Sequence, residues 1–398
     1  MSMSPLQGVR VLDLTSVIMG PYATQMLAEY GADVIKVEPP EGDIMRRMGP
    51  CGEAGMGPVF LNLNRGKRSL CLDLKTAAGR DAMYRAVAGA DVFVTNVRHK
   101  ALDKLGLGWE AVRQRNPRLV YLFLSGFAQD GPHAGQPAYD DLIQAMVGLP
   151  HLSAQAGGGE PQYVPLNLAD KTMGLFAAQA VLAALLERAR TGQGQHVELP
   201  MYETMAGFVL LDHLAGATFA PPRGEPANPR LVSRYRKPYR TRDGWLSTMI
   251  YTDAHWRAFL ALVGRADLWD GDARFRTVAA RTESVDFVYA FIEEQIRQRD
   301  TAAWLDALAR ADIPVAPVAD MAALLEDLRR SPAGIVQEYE GHGGQRYLGV
   351  SPPLRRGGRL RAAPALGEHT AEILAELAEL AELAEPAEPA TQPGAAAR

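Results

Sequence analysis

The sequence predicts an α/β protein whose opening part is a parallel sheet covered by helices on both faces. Two observations carry this. Short, mostly apolar runs recur through the first 130 residues, as in strands buried on both sides. Helix-length amphipathic stretches separate them, and such crossovers join strands that run parallel.

VRVLDL (9–14) reads as the first strand, and PYATQMLAEYG (21–31) as a helix with proline in its first turn and glycine at its end. ADVIKVE (32–38) is the second strand, and SLCLDL (69–74) follows a polar loop. A helix over 77–90 leads to the strand DVFVTN (91–96), and a helix over 109–116 to LVYLFLSG (119–126). Beyond this the chain turns more helical. Helices are expected over 138–149 and 171–190, and 196–219 reads as a strand passing into a helix. Four prolines in APPRGEPANPR (220–230) break the pattern and mark the exit from the first domain. A second unit follows, with a strand in GWLSTMIY and helices near 254–263, 284–297 and 301–310. The boundaries expected are 1–220 for the first part of the large domain, 221–325 for a small domain, 326–380 for a C-terminal return, and 381–398 for a disordered tail.

The chain has 398 residues, 47% of them apolar, and a net charge of −4, which points away from nucleic acid as a partner. Two cysteines without a CxxC exclude a disulfide framework and suit a reducing cytoplasm. Eight scattered histidines give no metal site. No secretory leader and no long unbroken apolar run is visible, so no membrane partner is expected. The dinucleotide reading that a parallel sheet invites fails at DLTSVIMGPYA, which holds one glycine where three are needed.

Asp170 stands just before the apolar stretch KTMGLFAAQAVLAALLERAR. An aspartate there is a good helix cap, worth about 1 kcal/mol. A carboxylate kept ionised by a helix start can equally be a nucleophile when an electrophile is delivered to it. The residues alone leave both roles open.

Seven segments together carry a resemblance: GVRVLDLTSVIMGPYATQMLAEYGADVIKVEPPEGD (8–43), FLNLNRGKRSLCLDLK (60–75), GADVFVTNVR (89–98), 105–132, PAYDDLIQAMVG (137–148), 168–205 and PALGEHT (364–370). The chain resembles the family III CoA-transferases, which include formyl-CoA and carnitine CoA-transferases and, as a branch, 2-methylacyl-CoA racemases. The resemblance implies a large Rossmann-like parallel-sheet domain formed by the N- and C-terminal parts, a smaller α+β middle domain, and an interlocked homodimer. It implies an acyl-CoA:carboxylate CoA-transferase with Asp170 as catalytic nucleophile, working through an aspartyl anhydride and an aspartyl-CoA thioester. The substrates are then an acyl-CoA and a carboxylic acid, with coenzyme A arriving as a thioester and no permanently bound cofactor.

The same resemblance places CoA contacts at Leu72, Asp73, Leu74 and Lys75, at Asn96, Val97 and Arg98, and at Lys104, with Arg46 as a further phosphate ligand. The run Arg65, Lys67, Arg68 is a cationic candidate too, though a solvated face is the plainer reading. Tyr139 matches an active-site tyrosine, against the alternative of a core aromatic. Similar racemases carry a histidine there, and tyrosine, ionising near pH ~10, is a poor base. Ile18 replaces a glutamine of formyl-CoA transferase, and 228–245 lacks that enzyme's glycine run, which argues against formate and oxalate. The basic stretch from Arg230 to Arg240 is a candidate for greeting an acceptor carboxylate. The rival readings are a racemase on the same scaffold and a CoA-binding protein without turnover.

Overall fold

A computed structural model describes residues 4–52, 56–351 and 359–384. In chain order the first elements are β1 (Arg10–Leu14), α1 (Met19–Glu29), β2 (Asp33–Glu38), α2 (Pro58–Leu63), β3 (Arg68–Cys71), α3 (Ala77–Ala88), β4 (Val92–Thr95), α4 (His99–Lys104), α5 (Trp109–Arg115) and β5 (Val120–Ser125). Then come α6 (Asp140–Met146), α7 (Leu149–Gly157), α8 (Leu168–Thr191), β6 (Gln195–Pro200) and α9 (Met201–His213).

Local chemistry sets these limits. α1 stops because Gly31 takes φ +100°, letting its N–H reach Ala28 and the Ala32 N–H reach Leu27, a paired closure of the last turn. α3 starts where the Thr76 hydroxyl accepts the Gly79 N–H at 3.0 Å. The helix expected over 138–149 runs over Asp140–Met146, and Gly148, at φ +82°, separates it from a further helix, α7, that had no expectation.

The six strands form one parallel sheet in the order β3-β2-β1-β4-β5-β6. The order reverses between β1 and β4, the place where loops diverge and leave a crevice at the strands' C-terminal edge. One face of the sheet buries Leu12, Ile35, Leu70, Phe93 and Tyr121, together with Ile373 and Leu377. The last two come from the helix Thr370–Ala384, which packs on the sheet. Arg68 fastens it, bonding Glu376 at 2.7 Å and Glu372 at 2.9 Å while also holding Asp33.

Packing divides the chain into two compact units. The first takes the described residues of Met1–Tyr139, Ala169–Thr204 and Ser331–Arg398; the second takes Asp140–Leu168 and Met205–Arg330. The sequence placed 140–168 and 205–220 in the first domain; by packing they group with the second unit. The second unit has a three-stranded antiparallel sheet of β7 (Tyr239–Arg240), β8 (Trp245–Thr248) and β9 (Val315–Pro317). Its aromatic core is Trp256, Phe259, Phe275, Phe291 and Trp304. An antiparallel hairpin of β10 (Val336–Glu340) and β11 (Arg346–Val350) in the first unit had no expectation. The tail expected to be disordered lies mostly outside the described residues, which continue as helix to Ala384.

α8 is 24 residues long and, by length and composition, apolar enough to cross a membrane. No unbroken apolar run announced this, because polar residues interrupt it. Its Ala169, Met173, Ala177 and Val181 are buried in the first unit.

Candidate active site

α1 leaves the C-terminal end of β1, and α8 enters the N-terminal end of β6, so both helices begin at the same edge of the sheet. Gly174 reports how closely they pass. A Cβ there would lie 2.7 Å from Tyr22 Cδ1 and 3.1 Å from the Met19 carbonyl. Only glycine permits that approach. Asp170 is one turn earlier, about 6 Å nearer the helix start.

The sequence made Asp170 the cap of a helix beginning at 171. The helix begins at Leu168 instead, so Asp170 is its third residue, in the first turn and partly exposed. The helix dipole favours its charge there. Asn167, a good capping type, precedes the first helical residue.

The turn after β1, Thr15–Ile18, is gripped from three sides. Asn96, just beyond β4, accepts the Ser16 N–H at 3.1 Å and donates to the Ser16 carbonyl at 3.0 Å. Lys36 donates to the Thr15 carbonyl at 3.0 Å. Asp43 accepts the Val17 N–H at 3.4 Å. Val17 itself has φ +72°, a left-handed conformation that a β-branched residue adopts only under constraint. Ile18 is buried and enters α1 with no side-chain cap.

Beneath the turn is a fully buried charge lattice that sequence reasoning missed. Lys67 donates to Asp13 at 2.9 Å, Thr24 at 2.8 Å, Asn64 at 2.8 Å and the Pro21 carbonyl at 3.0 Å. Lys36 pairs with Asp43 at 3.0 Å. Burial opposes the Asp13 charge, but Lys67 and Lys36, with the Thr15 and Thr24 hydroxyls, outweigh it and hold the carboxyl at about 2. Burial pushes Lys67 down to about 8 against the pull of Asp13. Burial would lower Lys36 as well, but Asp13, Asp43 and Glu38 raise it.

Several expected CoA ligands are committed elsewhere. Arg46 is buried, bonds both Glu38 oxygens at 2.8 and 2.6 Å, reaches the Pro364 carbonyl, and stacks 3.8 Å from the Phe60 ring centre. Its guanidinium is committed to these internal partners. Arg65 reaches the Val350 carbonyl at 2.7 Å, and Lys67 and Arg68 are paired as described. Arg65 and Lys67 are buried, and Arg68 is partly buried among its carboxylate partners. Leu72 is buried and Leu74 partly so, each packed on the sheet core. Asp73 shapes its own turn, accepting the Lys75 N–H at 3.0 Å. Lys75 is exposed.

The remaining candidates gather. A cavity of about 560 Å³ opens at the C-terminal ends of β4 and β5. Asn96, Val97, Arg98 and Lys104 line it, with Lys100 and Gln129. Arg98, Lys100 and Lys104 are exposed at its mouth. Lys75 lies at the same edge beyond β3, three strand spacings or about 14 Å from β4. Tyr139 is 71% exposed, which rules out a core role within this chain. Its neighbour Ala138 lies over Gly126 at the end of β5, where an added Cβ would meet it at 2.4 Å. In the second unit Arg230 donates to the Tyr289 hydroxyl at 3.1 Å, and Lys237 pairs with Glu293. Among the described residues no group of three or more His, Cys, Asp or Glu could hold a metal ion.

The sequence matches CoA-transferase family III over residues 6–370. The chain belongs to that family of enzymes. It is 33% identical over 390 residues to a succinate–glutarate CoA-transferase of Agrobacterium fabrum, covering 94% of this chain and 96% of that one. It is 33% identical over 404 residues to a formyl-CoA:oxalate CoA-transferase of Escherichia coli, with the same coverage of 94% and 96%. Among solved structures, a CAIB/BAIF family protein from Brucella suis superposes with a TM-score of 0.76 at 32% identity, covering 94% of this chain and 99% of that one.

Proposed function

We propose that the protein is an acyl-CoA:carboxylate CoA-transferase with Asp170 as its nucleophile. The observation that carries this is the placement of a partly exposed carboxylate in the first turn of α8, at the same sheet edge as the basic cavity beyond β4 and β5. A carboxylate oxygen of Asp170 adds to the donor thioester carbonyl. The C–S bond breaks, leaving an acyl-aspartyl anhydride and CoA thiolate. The thiolate adds to the Asp170 carbonyl carbon, and the donor leaves as a carboxylate, taking one Asp170 oxygen. The aspartyl-CoA thioester then receives the acceptor carboxylate, and the same steps run in reverse. Overall one CoA thioester is exchanged for another, so no external energy source enters. Holding thiolate and anhydride together supplies effective concentration and keeps water out.

Arg98, Lys100 and Lys104 suit the phosphates of CoA, with Lys75 reaching an extended part of the same ligand. Leu72, Asp73, Leu74 and Val97 would contribute through backbone or apolar contact. Exposed Tyr139 would face the acyl group, and Ile18 gives that side an apolar wall. We read the acceptor as a small dicarboxylate, since succinate and glutarate appear in the name of a relative that matches nearly the whole chain. Leu211, 86% exposed on α9 beside exposed Phe208 and Leu214, suits a homodimer.

The test is mass spectrometry of the protein mixed with a panel of acyl-CoAs and then hydroxylamine. A modified Asp170, lost in Asp170→Ala together with turnover, supports the reading. Turnover by Asp170→Ala at the parent rate excludes it.

A further inference from the structure

The Asn96 carboxamide is expected to touch CoA, yet both its polar ends are used on the backbone of Ser16. The next residue, Val17, is the β-branched residue at φ +72°, and its N–H is met from the other side by Asp43. Asp43 is held by Lys36, whose ammonium also takes the Thr15 carbonyl. Three consecutive residues are thus fixed by side chains from β2, the loop after it, and the loop after β4. The turn leads directly into the first turn of α1, on which Gly174 of α8 rests without room for a methyl group.

We infer that Asn96 and the Lys36–Asp43 pair are positioning residues: they hold the Thr15–Ile18 turn in a left-handed bend that sets α1, and through Gly174 the start of α8, so that Asp170 meets the thioester at attack distance. This rests on the nucleophilic reading of Asp170. The bend at Val17 is unfavourable to the residue that makes it, so without the clamp it would relax toward ordinary φ. Such a shift moves α1 and the Asp170 carboxylate relative to a substrate anchored independently in the β4–β5 cavity. Displacement on that scale costs about 10- to 100-fold in rate.

Two roles for Asn96 predict different kinetics. A direct CoA contact, when lost, raises KM for acyl-CoA. A positioning role lowers kcat and leaves that KM within about twofold. Glycine adopts φ near +70° without strain. Val17→Gly therefore removes the need for the clamp and restores most of the rate lost in Asn96→Ala.

The experiment compares parent, Asn96→Ala, Asn96→Ser, Val17→Gly and the Val17→Gly/Asn96→Ala double variant. It measures kcat and KM for one turned-over acyl-CoA, the rate of hydroxylamine-trapped Asp170 adduct, and thermal unfolding. A fall in kcat and adduct formation in Asn96→Ala, with KM held and recovery in the double variant, is expected. A raised KM with unchanged kcat, or adduct formation at the parent rate, overturns the inference while leaving Asp170 as nucleophile. Failure of the double variant to recover overturns it as well. If Asn96→Ala does not fold, Asn96→Ser and its combination with Val17→Gly are judged by the same criteria. An absence of Asp170 adduct in the parent itself refutes the nucleophilic reading, and the inference falls with it.

Discussion

Replacing Lys67 by methionine keeps the length of the side chain and removes its ammonium from a site with no solvent exposure. Four acceptors lose one donor each: Asp13 Oδ2, Thr24 Oγ1, Asn64 Oδ1 and the Pro21 carbonyl. Asp13 keeps Thr15 and Thr24 as hydrogen-bond partners and the charge of Lys36 nearby, so it is weakened rather than abandoned. Breaking one side of a buried pair costs about 3–5 kcal/mol. The Asp13→Asn/Lys67→Met double variant should recover part of this, because it leaves no uncompensated charge. Urea unfolding followed by circular dichroism at pH 7 reads the loss directly. If Lys67→Met stays within about 0.5 kcal/mol of the parent, the range of an ordinary surface change, the lattice does not carry the stability assigned to it.

Acid should act through the same group: the folded-state carboxyl of Asp13 lies at about 2 against 3.8 unfolded, so its contribution is complete above pH ~4 and disappears as pH falls through 2. That loss is about 2 kcal/mol, and a pH series of urea midpoints in parent and Asp13→Asn checks it. Gly174→Ala should lower both stability and turnover, since its methyl group meets Tyr22 and the Met19 carbonyl; an activity equal to the parent contradicts the close approach of α1 and α8. Arg98→Ala and Lys104→Ala should raise KM for acyl-CoA by about tenfold each, with kcat little changed and with salt weakening the parent's affinity. Arg46→Gln should behave oppositely, lowering the unfolding midpoint by breaking the buried pair with Glu38 and leaving KM for acyl-CoA in place.

The parallel sheet was legible because its strands are mostly apolar and their spacing demands crossovers. The polar residues inside those strands were legible too and were not read. Asp13 in VRVLDL and Lys36 in ADVIKVE occupy positions that a doubly covered strand buries, and a buried charge needs a partner. That rule predicts a lattice, but nothing local says Asp13 meets Lys67, 54 residues away. The same limit applies to Arg46: an arginine in a loop looks like a ligand for phosphate until Glu38 and Phe60 fold around it. Asp170 was found by its place before an apolar stretch, but its position in the turn was misread, because Leu168 and Ala169 fit the loop as easily as the helix. The extent of the second unit was hidden as well. The helices at 140–157 precede α8 in sequence, and only packing assigns them to the middle of the chain.

Oxygen exchange tests the nucleophilic role of Asp170 most directly. When an acceptor whose carboxylate carries oxygen-18 attacks the aspartyl-CoA thioester and leaves as its own CoA ester, one of its oxygens must stay on the Asp170 carboxylate. Mass spectrometry of the Asp170 peptide should show one heavy oxygen gained after a single turnover and up to two after many, and fragmentation should place them on that side chain. Full turnover with no label in the Asp170 carboxylate would mean that acceptor and donor react without it.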